Sequence, residues 1–448
     1  MEIDYKESLE KIINSINLAD FYFDLSPEKI AQKPLENRQQ SKLLLANCSN
    51  QSIEHHHFFD IPKLIPKPAL LFINETKVIS ARLHFNKKNG GKVEIFCLEP
   101  KMDVLVTSLN NFFYDLSSNN EIQNISNEIN QQDSPKANLL KSTVWNCLIG
   151  GKRVRENDEF TANFAINGED IVLNAKILEK DRAEAVVKFS WNKEYFNFNE
   201  ILGAYGKVPL PPYIKRSADE EDATRYQTVY AKKFGSVASP TAGLHFTEDI
   251  LNNLSQNDIK IAKLNLNIGL GTFKPIQSDN IFDHSMHKES FSISLSAVEE
   301  LLDAKKNGKR IIATGTTSLR VLESLPVISA KINKGIDLAV AQWDSYLYEK
   351  ENLITSTEKA LEIIIDFLKI HNLSRISTDT SLFIIPGFKF RIVDTLITNY
   401  HLPKTTLVLL VAAFLGKDFW KKVYSEALEN DYRFLSYGDS SLLIREML

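Results

Sequence analysis

The chain has 448 residues, 43% of them hydrophobic and 25% charged, enough for a large core spread over two or three domains. Its 53 Lys and Arg against 57 Asp and Glu leave a formal charge of −4, which excludes a global pull on nucleic acid. Any RNA contact must then come from a local basic face. Cys48, Cys97 and Cys147 are odd in number and widely spaced, fitting neither a disulfide framework nor a zinc knuckle.

The first residues, "MEIDYKESLEKII", carry acids and helical periodicity where a secretion signal needs a basic end and an apolar run. No apolar stretch reaches membrane-spanning length, and "TLVLLVAAFLG" reads as a buried helix. A cytoplasmic protein without a membrane partner is expected. "SKLLLA" is strand-like, and "ALLFINETKVISARLHF" reads as a strand, a polar turn at Asn74-Glu75-Thr76 and a second strand. From Ala81 to Trp191 short strands separated by Gly, Asn and Asp predict a small all-β barrel or sandwich. A stretch rich in Asn, Ser and Gln near residues 108–140 interrupts it and is expected to be a mobile excursion. After Trp191 helices alternate with strands, as in a largely parallel sheet covered on both faces. The fold class is therefore a mixed α/β domain formed by both ends of the chain, residues 1–80 and 192–448, with an inserted β-barrel over residues 81–191.

Several loops carry chemistry. In "SPTAGLHFTEDIL" Thr247 is a good N-cap, and Glu248 and Asp249 in the first turn complement the helix dipole. His245, held by Gly243 between Leu244 and Phe246, is either a hydrogen-bonded core histidine or a working group. The acids beside it would repel phosphate and favour a neutral or cationic partner. "KRIIATGTTSLRVLESL" is a strand, a Gly315 turn and a helix capped by Thr317 or Ser318, offering free N–H groups to an anion. Arg320 in that helix's first turn either meets such an anion or pairs with Glu323.

"IFDHSMHKE" sets His284 and His287 three apart, but no third ligand accompanies them and no metal is expected. The three histidines of "EHHHFFD" would be split between the faces of a strand. "LPPYIKRSADEEDATRYQTVYAKKF" interleaves aromatic and basic groups, as in proteins that hold unpaired bases, although Asp219 to Asp222 offset much of the charge. Lys404 starts a helix in "LITNYHLPKTTLVLL", and "YRFLSYGDSSLLI" sets Arg433, Tyr437 and Asp439 around Gly438. So many polar loops flanking regular elements suggest one shared crevice.

These stretches, with "IAQKPLENRQQSKLL", "GLGTFKPI" and above all the run from Arg225 to Thr247, resemble the S-adenosylmethionine:tRNA ribosyltransferase-isomerases of queuosine synthesis. The resemblance spans most of the chain outside the Asn-rich excursion and a stretch from about Pro326 to about Thr380. It implies an α/β domain with an inserted β-barrel. It also implies transfer and isomerisation of the ribosyl part of S-adenosylmethionine onto 7-aminomethyl-7-deazaguanine at the tRNA wobble position, with adenine and methionine leaving. A noncatalytic tRNA-binding protein, or another S-adenosylmethionine-dependent RNA-modifying enzyme, are the competing readings. Adenine as product separates the first reading from both.

The implied partners are tRNA and S-adenosylmethionine, the latter as co-substrate with no further cofactor, and a monomer is expected. The implied catalytic set is His245, Thr241 and Glu248, with His245 the preferred acid–base group. The implied substrate-binding set is Arg225, Tyr226, Gln227, Tyr230, Ser239, Gly243, Gly271, His287, Thr316, Thr317, Arg320, Asn399, His401, Lys404, Tyr437 and Asp439. Within it Arg320, Lys404 and the Thr316–Ser318 turn are expected at the methionine carboxylate or at phosphates, and Tyr226 and Tyr230 against anticodon bases. The chain departs from the family where "NLNIGLGTF" carries Asn267 in place of a His, and where "NETKVISARL" carries Glu75, Lys77 and Ser80. Asn can donate and accept hydrogen bonds but cannot shuttle a proton.

Overall fold

A computed structural model describes residues 16–87, 90–101, 142–151, 153–269, 276 and 281–447. The excursion expected near 108–140 lies outside them. The chain forms two compact units, Met1–Val78 with Leu210–Leu448, and Ile79–Pro209. Along the first, β1 (Lys42–Asn47), β2 (Ser52–His57), β3 (Ala69–Asn74) and β4 (Thr76–Val78) precede the second unit's β5 (Arg82–Asn86), β6 (Lys92–Pro100), β7 (Ser142–Gly150), β8 (Glu159–Ile166), β9 (Glu169–Asp181) and β10 (Glu184–Trp191). The first unit then resumes with β11 (Lys233–Ser236), β12 (Ile259–Leu266), β13 (Glu289–Ser294), β14 (Arg310–Thr314), β15 (Arg375–Thr380), β16 (Thr395–Asn399) and β17 (Ser440–Ile444).

In the second unit the six antiparallel strands run in the order β5-β6-β7-β10-β9-β8, and the edge strands β5 and β8 approach one another. Phe85 and Phe160 meet across that seam with ring centroids 6.3 Å apart. Alternation puts Val93, Ile95 and Cys97 of β6 inside, and Cys97 faces Cys147 across the ladder, both as free thiols. The sequence texture changes at Trp191, yet this unit continues to Pro209. The reason is the helix Phe198–Tyr205, whose Phe198 ring lies 4.9 Å from Phe189 and 5.8 Å from Trp191 while Tyr205 stacks on Phe164 at 4.7 Å. The helix is started by a reciprocal capping box between Asn197 and Glu200. A change from strand to helix pattern marked a change of element, not the end of the unit.

The first unit is built on a nine-stranded sheet in the order β15-β13-β12-β3-β14-β16-β17-β1-β2. It is mixed rather than largely parallel. β12, β3, β14 and β16 run together, β17 returns antiparallel beside β16, and β1 pairs parallel with β17. The expected hairpin after β3 does not form. Asn74, Glu75 and Thr76 are buried, because the Asn74 side chain bonds both the N–H and the C=O of Leu266, and β4 pairs with β11 instead.

All six residues of β3 are buried, as a central strand covered on both faces requires. Leu70 and Phe72 pack under the helices Leu295–Lys306, Gly315–Lys334 and Thr357–Ile370, whereas Leu71 and Ile73 pack with Phe246, Ile250 and Leu254 of the opposite layer. Each such side chain contributes about 1.5–3 kcal/mol on burial. "TLVLLVAAFL" is a buried helix of ten residues, and among the described residues no helix is long and apolar enough to cross a membrane.

The helix Gly315–Lys334 starts earlier than a Thr317 or Ser318 cap would allow. Thr314 is the N-cap, without a side-chain cap bond, and Gly315 takes φ +85°, a region that favours glycine. Glu323 on this helix does not pair with Arg320. Its buried carboxylate accepts the backbone N–H groups of Arg391, Ile392 and Val393 at 3.0, 3.0 and 2.9 Å, tying the helix to the segment that feeds β16. Burial pushes its pKa up against those three bonds. Glu323→Ala strands three donors, at about 1–3 kcal/mol each where no water replaces them. Urea denaturation is expected to show a loss of at least about 3 kcal/mol relative to the parent chain.

Candidate active site

One cleft lies where β14 and β16 end, at the carboxyl edge where open α/β sheets hold ligands. It encloses about 650 Å³, open solvent included. The turn Ser239–Ala242, the helix start Gly315–Thr317, the loop Thr398–Leu402, the pair Leu435–Ser436 and Tyr213 form its walls. The first N–H groups of a helix have no intrahelical partner, so the Gly315 terminus presents donors to the cleft. The buried Ser239 Oγ and Thr317 Oγ1 have no hydrogen-bond partner among the described residues. Unfilled hydroxyls of this kind in a cleft wall are available to a ligand.

His245 stands behind this wall, held at both ring nitrogens. Its Nδ1 is 2.8 Å from Ser41 Oγ and its Nε2 is 3.1 Å from Asn399 Oδ1. The Asn399 amide nitrogen donates to the carbonyls of Leu435 (2.9 Å) and Ser436 (3.3 Å), which leaves its oxygen to accept. Nε2 therefore carries the ring proton and Nδ1 accepts from Ser41. Burial pulls the His245 pKa down to about 4, against the stabilising Asn399 bond and the Asp439 charge, with Arg433 and Arg38 adding to the depression. Phe58 lies against the ring at 5.0 Å between centroids. His401, which lines the cleft, is buried and pulled to about 3, with Nε2 3.1 Å from Thr398 Oγ1. Both histidines are neutral at pH 7.

On its far side His245 borders a smaller cavity with Arg38, Ser41, Arg225, Arg433 and Tyr437. Ser436 lines both spaces, and its Oγ is 2.6 Å from the Tyr213 hydroxyl. Asp439 holds the corner: its carboxylate accepts the backbone N–H of Lys42 at 3.0 Å and of Arg433 at 2.7 Å. Gln227 pins Val78, accepting its N–H at 3.1 Å and donating to its C=O at 2.8 Å. The buried Asp222 takes two bonds from Arg216, at 2.6 and 2.7 Å, and one from the Tyr437 hydroxyl at 2.8 Å.

Other residues singled out from the sequence are elsewhere. Tyr226 is buried edge-on to Tyr437 and Tyr230 edge-on to Phe246, so neither has a face open to a base. Gly243 is small because Tyr230 requires it: a Cβ there would sit 2.0 Å from the Tyr230 hydroxyl. Arg320 is buried in an ion pair with Glu289 of β13, so its charge is met within the protein rather than by a ligand. Lys404 is exposed, over the Tyr22 ring at 5.4 Å. Glu248 is exposed on the outer first turn of its helix, and His287 is exposed too; neither lines the cleft or the smaller cavity. Gly271 lies outside the described residues. Asn267 packs against Gly235 and accepts from Thr76 Oγ1 at 3.3 Å. Among the described residues no group of three His, Cys, Asp or Glu side chains is placed to hold a metal ion.

Conversely, Arg38, Ser41 and Ser436 line the two spaces without having been singled out, and Tyr213, noted only as part of the basic-aromatic run, lines the cleft. Arg38 and Ser41 occur in "ENRQQSKLL", a stretch that carries the family resemblance but whose residues were given no role at a site. A basic residue three positions before the serine that precedes a strand is a signal that could have found them.

Burial of neutral His245 has a consequence for stability. Its folded pKa of about 4 is below the ordinary 6.5, so the unfolded chain binds the proton first as pH falls. The neutral imidazole's contribution is complete above pH ~6.5 and is lost on the way down to pH ~4, on the order of 3 kcal/mol. Urea unfolding at stepped pH is expected to show this loss, and His245→Gln to flatten the slope over that window.

Residues 18–443 match the family described as queuosine biosynthesis protein. S-adenosylmethionine:tRNA ribosyltransferase-isomerases are similar along nearly their whole length. That of Natranaerobius thermophilus is 34% identical over 96% of this chain and 99% of its own, and that of Thermoanaerobacter sp. 36% over 95% and 99%. That of Legionella pneumophila is 36% identical over 96% and 100%. A crystal structure of an S-adenosylmethionine tRNA ribosyltransferase from Thermotoga maritima aligns at 25% identity over 95% of this chain and 100% of that one, with a TM-score of 0.43. With a match that runs through both units and every loop of the cleft, the chain belongs to the queuosine biosynthesis protein family.

Proposed function

We propose that this protein transfers and isomerises the ribosyl moiety of S-adenosylmethionine onto 7-aminomethyl-7-deazaguanine at the tRNA wobble position, giving epoxyqueuosine and releasing adenine and methionine. The observation that supports it most is the convergence of three sequence-distant loops, Ser239–Ala242, Gly315–Thr317 and Thr398–Leu402, on one cleft. The similarity to ribosyltransferase-isomerases over nearly the whole chain supports the same reading. Neither the noncatalytic alternative nor another S-adenosylmethionine-dependent RNA-modifying enzyme, such as a methyltransferase, has a separate observation in its favour.

The chemistry divides along the walls of the cleft. A sulfonium acidifies its neighbouring C–H bonds, so a base can start the reaction, and adenine leaves more readily when hydrogen-bonded or protonated. The methionyl carboxylate fits the helix terminus at Thr316 and Thr317, where N–H groups and a free hydroxyl meet an anion. His245, neutral near pH 7, is suited to accept a proton and unsuited to start as an acid. Its proton sits on Nε2 toward Asn399, whose amide it orients at the cleft, so the nitrogen able to accept a proton is Nδ1 on the Ser41 side, and the substrate must reach it there. The hydroxyls of Ser239 and Thr241 are the groups in place to bond a departing base. Glu248, exposed on its helix, is left with a role in the dipole of that helix rather than at the reacting atoms.

The deciding assay follows adenine release from S-adenosylmethionine in the presence of tRNA carrying the deazaguanine. Adenine without S-adenosylhomocysteine is the expected product. tRNA binding without adenine release would favour the noncatalytic reading, and S-adenosylhomocysteine a methyltransferase. His245→Ala is expected to slow adenine release about 10²–10⁴-fold. Turnover close to that of the parent would remove His245 from the mechanism. Thr317→Val deletes a hydroxyl to a charged group and is expected to raise KM for S-adenosylmethionine about tenfold or more, with kcat less affected.

A further inference from the structure

The cavity behind His245 holds more positive charge than the protein itself neutralises. Arg38, Arg225 and Arg433 all line it, in a space of about 290 Å³, open solvent included. Arg38 donates to the neutral carbonyl of Gln227 at 3.1 Å, and Arg225 to those of Glu36, at 3.0 Å, and Leu35. Of the three, and among the described residues, Arg433 alone has a carboxylate, Asp439, with Nη2 at 3.5 Å, and that carboxylate already accepts two backbone N–H groups. Among the described residues, three guanidinium groups therefore share one acid. At Arg38 burial, and after it the Arg225 charge, pulls the pKa below its ordinary value. The Arg225 Nε is buried without a hydrogen-bond partner among the described residues.

Planar guanidinium forks gathered in this way match the multiply accepting oxygens of a tetrahedral phosphate. The cavity adjoins the cleft through Ser436, which lines both, and through the His245–Asn399 bond. Only one anionic group of S-adenosylmethionine needs a place, and the helix terminus at Thr316 offers it one. We propose that the Arg38–Arg225–Arg433 cavity binds a backbone phosphodiester of RNA adjoining the nucleotide whose base enters the cleft. This deepens the tRNA reading above and rests on it. The site supplies position and register, and the cleft supplies identity, as phosphate and base contacts divide their work elsewhere. It also supplies the local basic face that a chain of net charge −4 needs for RNA.

The test is equilibrium binding of tRNA to the full chain, followed by fluorescence anisotropy between about 50 and 200 mM KCl, with S-adenosylmethionine binding measured by calorimetry on the same samples. Arg38→Gln and Arg433→Gln are each expected to raise the Kd for tRNA about tenfold. Each is also expected to flatten the slope of log K against log salt by about one. The Kd for S-adenosylmethionine stays within about twofold, which also reports that each variant is folded. Arg38→Lys restores the salt slope. Unchanged tRNA affinity and slope in both Gln variants, in a chain that still binds tRNA and releases adenine, overturn the phosphate site alone. Loss confined to S-adenosylmethionine binding overturns it in favour of the methionyl carboxylate. A parent chain that does not bind tRNA fails the functional reading itself.

Discussion

The site depends on where β17 is inserted. It lies between β16 and β1, antiparallel to the first and parallel to the second, so Asn399 stands opposite Ser440 and Ser440 opposite Leu43. A register of this kind is rigid, because slipping one residue would turn the buried Leu442 and Ile444 to the wrong face. It brings the end of β16 beside the entrances to β17 and β1, joining Asn399, Asp439 and Ser41 across more than 350 residues of chain (about 400 by the span from Ser41 to Asp439). His245 arrives from the opposite layer and closes the group by bonding Ser41 and Asn399 together.

Low dielectric governs what these groups can be. His245 and His401 are buried without a carboxylate at the ring, so desolvation outweighs the weak help available and both remain neutral. Charges that must be buried are treated differently. Arg320 is given Glu289, Arg216 is given Asp222, and Glu323 is given three backbone N–H groups. Among the described residues the guanidinium groups of Arg38 and Arg225 have only carbonyl partners, and they lie at a cavity rather than in a packed interior. A fold that satisfies its interior charges so consistently draws attention to those it leaves short.

Much of this was legible along the chain. Alternation and Gly, Asn and Asp punctuation revealed the strands of the second unit, because each strand buries one face and must turn within a few residues. The strand, Gly315 turn and helix of "KRIIATGTTSLRVLESL" were legible because a positive φ next to polar helix-starting residues has few other uses. Polar loops beside regular elements pointed to one crevice, and Ser239, Thr316, Asn399 and His401 do line it. Local rules failed where the partner is remote. Arg320 was weighed against its neighbour Glu323 on helical spacing, whereas Glu289 reaches it from another strand. Tyr226 and Tyr230 look alike in a basic-aromatic run, and only packing shows that both are buried.

Along the chain alone, most of the strand and helix segments, the α/β and β-barrel classes, the family and the loops that carry polar groups were legible. These follow from periodicity, turn chemistry and long idiosyncratic motifs, all of which act over neighbouring residues. Folding settled which of those polar groups meet, which are consumed as internal partners, and that His245 faces a basic cavity while Asn399 faces the cleft. The physical reason is that protonation and hydrogen-bond state depend on burial and on charges a few ångströms away, and the chain supplies those from hundreds of residues off.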